Sequence, residues 1–136
     1  MTNEMEKRDS MSKINIKAFL ENQIEHTQHK TETIGIQNEN KIIYQDNEIQ
    51  MILTIMNTEI HMRRIQKEAI LDCSFNPSLT TDGNYDIKSV NMMIPVKMNT
   101  KKLQIEKGKI VLEYEMTLAD EPPKKFYYEL AYEVIE

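Results

Sequence analysis

The residues best equipped for chemistry in this chain are three histidines, one cysteine, one adjacent arginine pair and six tyrosines. His26 and His29, with Glu25 and Glu32 close by, carry the donor types of a metal site. Positions three apart share a face on a helix but oppose one another on a strand, so on extended chain this pair does not chelate one ion. His61 lacks a partner close by in sequence, and the expectation is exposed polar histidines with no metal. Cys73 belongs to the alternating run Ala69, Leu71, Cys73, Phe75, which reads as a small buried core residue rather than a nucleophile or redox thiol. Glu113 and Glu115 fall on one strand face about 7 Å apart. Catalytic carboxylates act across a cleft, whereas these two share a face that meets water.

Gly35, Gly83 and Gly108 are too far apart for a phosphate-binding loop, and no serine stands in a nucleophile-elbow context. No nucleophile, base and orienting group come together, so no catalytic residue and no cofactor is assigned, and an enzyme is not the expectation. Arg63-Arg64 is more informative. On a strand one guanidinium points inward and the other outward, and Arg64 shares its side with Ile60 and Met62. An inward arginine must find an acid or a ligand. Arg64 is therefore a candidate ligand anchor near a pocket mouth, the alternative being an arginine at a strand end that reaches solvent.

Strands must position these groups. Ile110, Leu112, Tyr114, Met116 and Leu118 alternate with Val111, Glu113, Glu115 and Thr117, a period of two over nine residues. Leu103 and Ile105 begin the preceding run, and Lys107-Gly108 turns the chain between them. The same alternation occurs at Ile14 to Glu21, about Gln28 to Gln37, Lys41 to Asp46, Ile49 to Met56, Ile60 to Ile65, Ala69 to Phe75 and Phe126 to Ile135. Asn38-Glu39-Asn40, Asp46-Asn47, Asn57-Thr58 and Gln66-Lys67-Glu68 punctuate them. Asn76-Pro77-Ser78 and Asp82-Gly83-Asn84 mark a longer loop, and Tyr85 to Val90 resumes extended structure. Pro95 interrupts Met92 to Ile105, which reads as one run or as two overlapping shorter strands.

About ten extended segments at roughly 8 to 14 residue spacing, without a helix, predict an all-β fold: an antiparallel meander β-barrel of about eight to ten strands. Closing the sheet removes its exposed edges. Residues 1–12 read as a flexible lead-in and 13–136 as one barrel domain. A chain of 136 residues, 40% hydrophobic and 29% charged, fits that organisation. Seventeen Lys and Arg against 22 Asp and Glu give a net charge of -5, which argues against nucleic acid as a partner. One cysteine cannot form an intrachain disulfide. The polar amino terminus is no signal peptide, and no run approaches the roughly 18 apolar residues of a membrane span. The expected location is the cytoplasm, with no membrane partner.

The segment Val96-Lys97-Met98-Asn99-Thr100-Lys101-Lys102-Leu103-Gln104-Ile105-Glu106-Lys107-Gly108-Lys109-Ile110-Val111-Leu112-Glu113-Tyr114-Glu115-Met116 resembles the YwiB-like family of small bacterial proteins, a domain of unknown function. The shared features are a Thr-Lys, a short apolar strand, a Gly turn and an Ile/Leu-Glu-Tyr strand. Thr33-Ile34-Gly35 and Lys41-Ile42-Ile43-Tyr44 stand where that family has its early strands. Asn91-Met92 departs from the aromatic-Gly pair found there. The resemblance implies a calycin-type, lipocalin-like closed barrel and brings no catalytic residues.

Two functions follow as expectations. One is a small apolar ligand bound inside the barrel, with Leu112, Tyr114, Met116, Tyr128 and Tyr132 on the inner wall and Arg64 near the mouth. The other is an interaction or homodimer surface on the outer face, built from Ile52, Met56, Tyr127, Ala131 and Ile135. The many methionines suit an adaptable pocket or irregular packing. Small barrels are often filled by their own side chains, so a filled or narrow interior is expected over an open cavity.

Overall fold

The computed structural model of the chain describes residues 11–135. Ten strands run in order: β1 (Met11–Asn22), β2 (Thr27–Asn38), β3 (Lys41–Asp46), β4 (Ile49–Ile55), β5 (Ile60–Ile65), β6 (Ala69–Phe75), β7 (Thr81–Ile87), β8 (Met92–Glu106), β9 (Lys109–Leu118) and β10 (Lys124–Val134). Every strand pairs antiparallel with its neighbour in sequence, and β1 also pairs with β10, which closes the barrel. Six of the nine connections contain a residue at positive φ, such as Asn47 at 55° and Gly108 at 82°. In the first turn the Asn22 side chain also accepts the N–H groups of Ile24 and Glu25.

Alternation decides which side chains enter the barrel. Ile14, Ile16, Ile42, Leu53, Ile60, Phe75, Val96, Met98, Ile110, Leu112 and Leu130 are all but sealed from solvent and pack as one cluster. Their burial away from water is the main stabilising term of the fold.

Several boundaries differ from the sequence reading. Met11 and Ser12, read as lead-in, already pair with Asn38 and Gln37; the rest of that lead-in and Glu136 lie outside the described residues. Asp82-Gly83-Asn84 is not a loop but part of β7, opposite Lys97, Val96 and Pro95. Gly83 is there for space, since a Cβ would run into the Asp72 carbonyl and the Cys73 backbone. Extended structure ends at Ile87 rather than Val90. A single 3-10 turn, Lys88–Val90, follows, and Asn91 closes it in the left-handed conformation.

Met92 to Glu106 is one strand of 15 residues. Its register to β9 slips by one between Thr100 and Lys102. That bulge changes parity, so Val96, Met98 and Thr100 point inward before it and Leu103 after it. A broken alternation in the sequence is what such a bulge looks like. Pro95 lies ahead of the first β8–β9 pair, Val96 with Leu118.

The β2–β3 seam is the shortest. β2 pairs with β1 along all twelve residues but with β3 only at Ile36, Gln37 and Asn38. The parting point is Gly35, where β2 passes so close to its neighbours that a Cβ would lie 2.5 Å from Ile16 Cδ1 and 2.6 Å from the Ile43 carbonyl oxygen.

Candidate functional site

Where β2 leaves β3, the barrel opens into a cavity of about 340 Å³. Its wall comes from the last residues of β1, β3, β5 and β9 and the first residues of β2, β4, β6 and β10, all at one end of an antiparallel barrel. Ala18, Leu20, Met51, Met62, Leu71, Tyr114, Met116 and Phe126 make most of the lining apolar. The expectation of a filled interior therefore holds for only part of the barrel: the opposite end is packed by the sealed cluster around Leu112, Phe75 and Leu130.

Four of the six residues singled out from the sequence line this cavity: Arg64, Tyr114, Met116 and Tyr128. Leu112 does not, being wholly buried below it in the packed core. Tyr132 does not either. It pairs with Ile16 and donates its N–H to the Gly108 carbonyl, which puts it near the β8–β9 turn at the far end of the barrel. Alternation gave the inward side correctly for both, but period two carries no depth along the strand.

The polar groups of the cavity fall into three sets. The hydroxyls of Tyr44 and Tyr128 are 2.6 Å apart and buried. Loss of hydration pushes the Tyr44 phenol up to about 12 and the Tyr128 phenol well above its ordinary value, so both are neutral hydroxyls at physiological pH. Tyr114 is raised by burial too. Its ring is held between Phe75 and Phe126, at centroid distances of 4.6 and 5.4 Å. Arg64 lies in register between Met51 on β4 and Leu71 on β6. Its charge is felt at Tyr44 and Tyr114, and among the described residues no carboxylate pairs with it.

The third set is at the rim. His29 Nε2 lies 2.7 Å from Asp46 Oδ2 and 3.2 Å from the Thr31 hydroxyl. This contact crosses the gap left by the short β2–β3 seam. His29 is exposed, as the sequence predicts; its partner Asp46, and Tyr44 on the wall, are not among the residues that the sequence singles out. Tyr44 was visible in Lys41 to Asp46, but its meeting with Tyr128 depends on barrel closure.

His61 also has partners that sequence proximity does not reveal. The β5–β6 register sets it against Ser74, with Nδ1 3.1 Å from the hydroxyl, and Nε2 lies 2.5 Å from Asp72 Oδ1. Ser, His and Asp together are a hydrolytic combination, but these three stand on the outer face and none lines the cavity. Cys73 is buried, as alternation predicts, and burial pushes its thiol up to about 12, which removes the thiolate needed for nucleophilic work. Among the described residues no group of three or more metal-ligating side chains forms.

The family described as "Domain of unknown function (DUF1934)" matches residues 12–130. The crystal structure of the ywiB protein from Bacillus subtilis is similar over 93% of each chain, with a TM-score of 0.63 at 14% sequence identity. That likeness is one of fold. Among curated proteins none matches.

Proposed function

This chain belongs to the DUF1934 family of domains of unknown function, and we propose that it is a non-enzymatic binding protein that takes a small, largely apolar ligand into the open end of its barrel. The observation that carries this is the cavity itself. A closed barrel of this size has enough inward side chains to fill its interior, and this one fills only one end. The remaining 340 Å³ lies within the range of small-molecule sites and has the usual composition of one, an apolar wall with a few convergent polar groups. The setting is cytoplasmic, consistent with a buried free thiol. Among the described residues no helix is long and apolar enough to cross a membrane.

Native mass spectrometry of the purified protein tests the reading. A monomer carrying a stoichiometric small-molecule adduct, displaced by added apolar compounds, is expected. An adduct-free dimer that takes up none of them would sink it.

One observation favours a second reading, an interaction or homodimer surface. Ile36, Ile43 and Ile52 stand side by side across β2, β3 and β4 on the outer face, with Ile34, 62% exposed, two residues along. The outer-face set expected from the sequence is not contiguous: Ile52 is on β4, whereas Tyr127 and Ala131 are on β10, with β3, β2 and β1 in between. The isoleucine stripe replaces it as the surface to test, by sedimentation of an Ile36→Lys variant against the parent protein.

A further inference from the structure

We propose that the ligand of this cavity carries a carboxylate, taken by the Arg64 guanidinium with phenolic hydroxyls beside it; this rests on the cavity reading above. The inference comes from what the polar groups of the cavity still lack. Arg64 presents N–H donors only, and no carboxylate pairs with it among the described residues. Tyr44 and Tyr128 share a single hydrogen bond between two hydroxyls. One O–H is used in it, which leaves the other without an acceptor. Tyr114 makes no side-chain hydrogen bond among the described residues, although its ring is fixed by Phe75 and Phe126. The acid of the cavity, Asp46, is already engaged by His29 at the rim.

The unmet demand of the cavity is therefore for acceptors and for negative charge. Arg64 is half-buried, so water reaches it in the open cavity; an apolar molecule without a head group would displace that water and leave donors unpaired, at a cost. Arg64, without a carboxylate partner among the described residues, offers a place for one anionic head group. The planar fork of Arg64 matches a carboxylate in two parallel hydrogen bonds. The apolar remainder of the ligand then lies against Met51, Met62, Leu71 and Met116, whose thioethers adapt to its shape.

The test compares decanoate with decanol by isothermal titration calorimetry on the full chain. These probes share an apolar tail and differ in the head group. Decanoate is expected to bind roughly 10- to 100-fold more tightly, the span of one charge-assisted hydrogen-bonding site. In Arg64→Met the preference should vanish through loss of decanoate affinity, with decanol binding retained, and Arg64→Lys should recover part of it. Equal binding of the two probes to the parent protein would overturn the carboxylate assignment and leave the cavity reading standing. Binding of neither would overturn both. The parent-protein comparison decides between these even where a variant folds poorly.

Discussion

Tyr44 and Tyr128, 84 residues apart in the chain, meet hydroxyl to hydroxyl at 2.6 Å inside the barrel. The contact joins β3 to β10, strands that are not neighbours in the sheet, across the space that the cavity occupies. It is thus a tie across the open end of the barrel, where the packed core gives no support. Removing one hydroxyl leaves the other buried without a partner, whereas removing both leaves no polar group to satisfy. Tyr44→Phe and Tyr128→Phe should each destabilise by about 1 kcal/mol, and the double variant by clearly less than the sum. Urea unfolding of the four proteins gives the coupling directly. Strict additivity would mean that the two hydroxyls do not support one another.

The same phenols predict an alkaline limit to stability. Burial raises Tyr44 to about 12, and raises Tyr128 and Tyr114 as well. Below pH of about 10 each is protonated in the folded and unfolded chain alike, so their contribution does not change with pH. From there to about 12 the unfolded phenol ionises while the folded one keeps its proton. The unfolded state then binds fewer protons, and stability falls as pH rises, by up to about 1.4 kcal/mol per pH unit for each group. Chemical denaturation at pH 9, 10 and 11 should show that decline, and Tyr128→Phe should flatten it only in part, because Tyr44, Tyr114 and Tyr127, the last raised by its hydrogen bond to Glu129, still hold their protons. An unchanged slope in the variant would show that Tyr128 does not hold its proton against pH.

Gly35 marks the point where β2 separates from β3, and its lack of a side chain permits the close approach there. A Cβ at this position would meet a backbone carbonyl, that of Ile43, as well as the tip of Ile16. A carbonyl in a ladder cannot rotate away as a side chain can. Gly35→Ala should therefore destabilise by about 1 to 3 kcal/mol, despite the gain in backbone rigidity that alanine normally brings. Thermal unfolding by circular dichroism measures it, and a Tm equal to that of the parent protein would exclude a steric role for Gly35.

Alternating side chains made the barrel legible. Ile110 to Leu118, Ile14 to Leu20 and Phe126 to Val134 each announce a strand with one wet and one dry side, and the short turns between them leave a meander as the simplest connection. What alternation cannot encode is distance along the barrel axis. That is why alternation groups Leu112 and Tyr132 with Tyr114 and Tyr128, although one is sealed in the core and the other lies at the far end. Pairs such as His29 with Asp46 and His61 with Ser74 depend on register between strands, which no local pattern fixes. Gly83 misled for a related reason. Glycine in sequence signals a turn most often, and here it answers to the backbone of Asp72 and Cys73 across the sheet.

Thr100 is the buried side chain whose polar atom finds no partner among the described residues. It stands at the last inward position of β8 before the register slip and faces Tyr114 on β9. With 5% of its surface exposed, it cannot recover its hydrogen bond from bulk water. A buried hydroxyl left unpaired costs on the order of 1 to 3 kcal/mol. Valine has nearly the same shape and carries no such group, and both residues favour extended chain. Thr100→Val should accordingly stabilise the protein by about 1 kcal/mol, with the register unchanged because Lys101, not Thr100, is the extra residue of the bulge. Urea unfolding should show a higher midpoint at the same m-value. A lower midpoint would mean that the hydroxyl has a hydrogen-bonding role in the native protein, and that the inner wall beside Tyr114 is more polar than its side chains indicate.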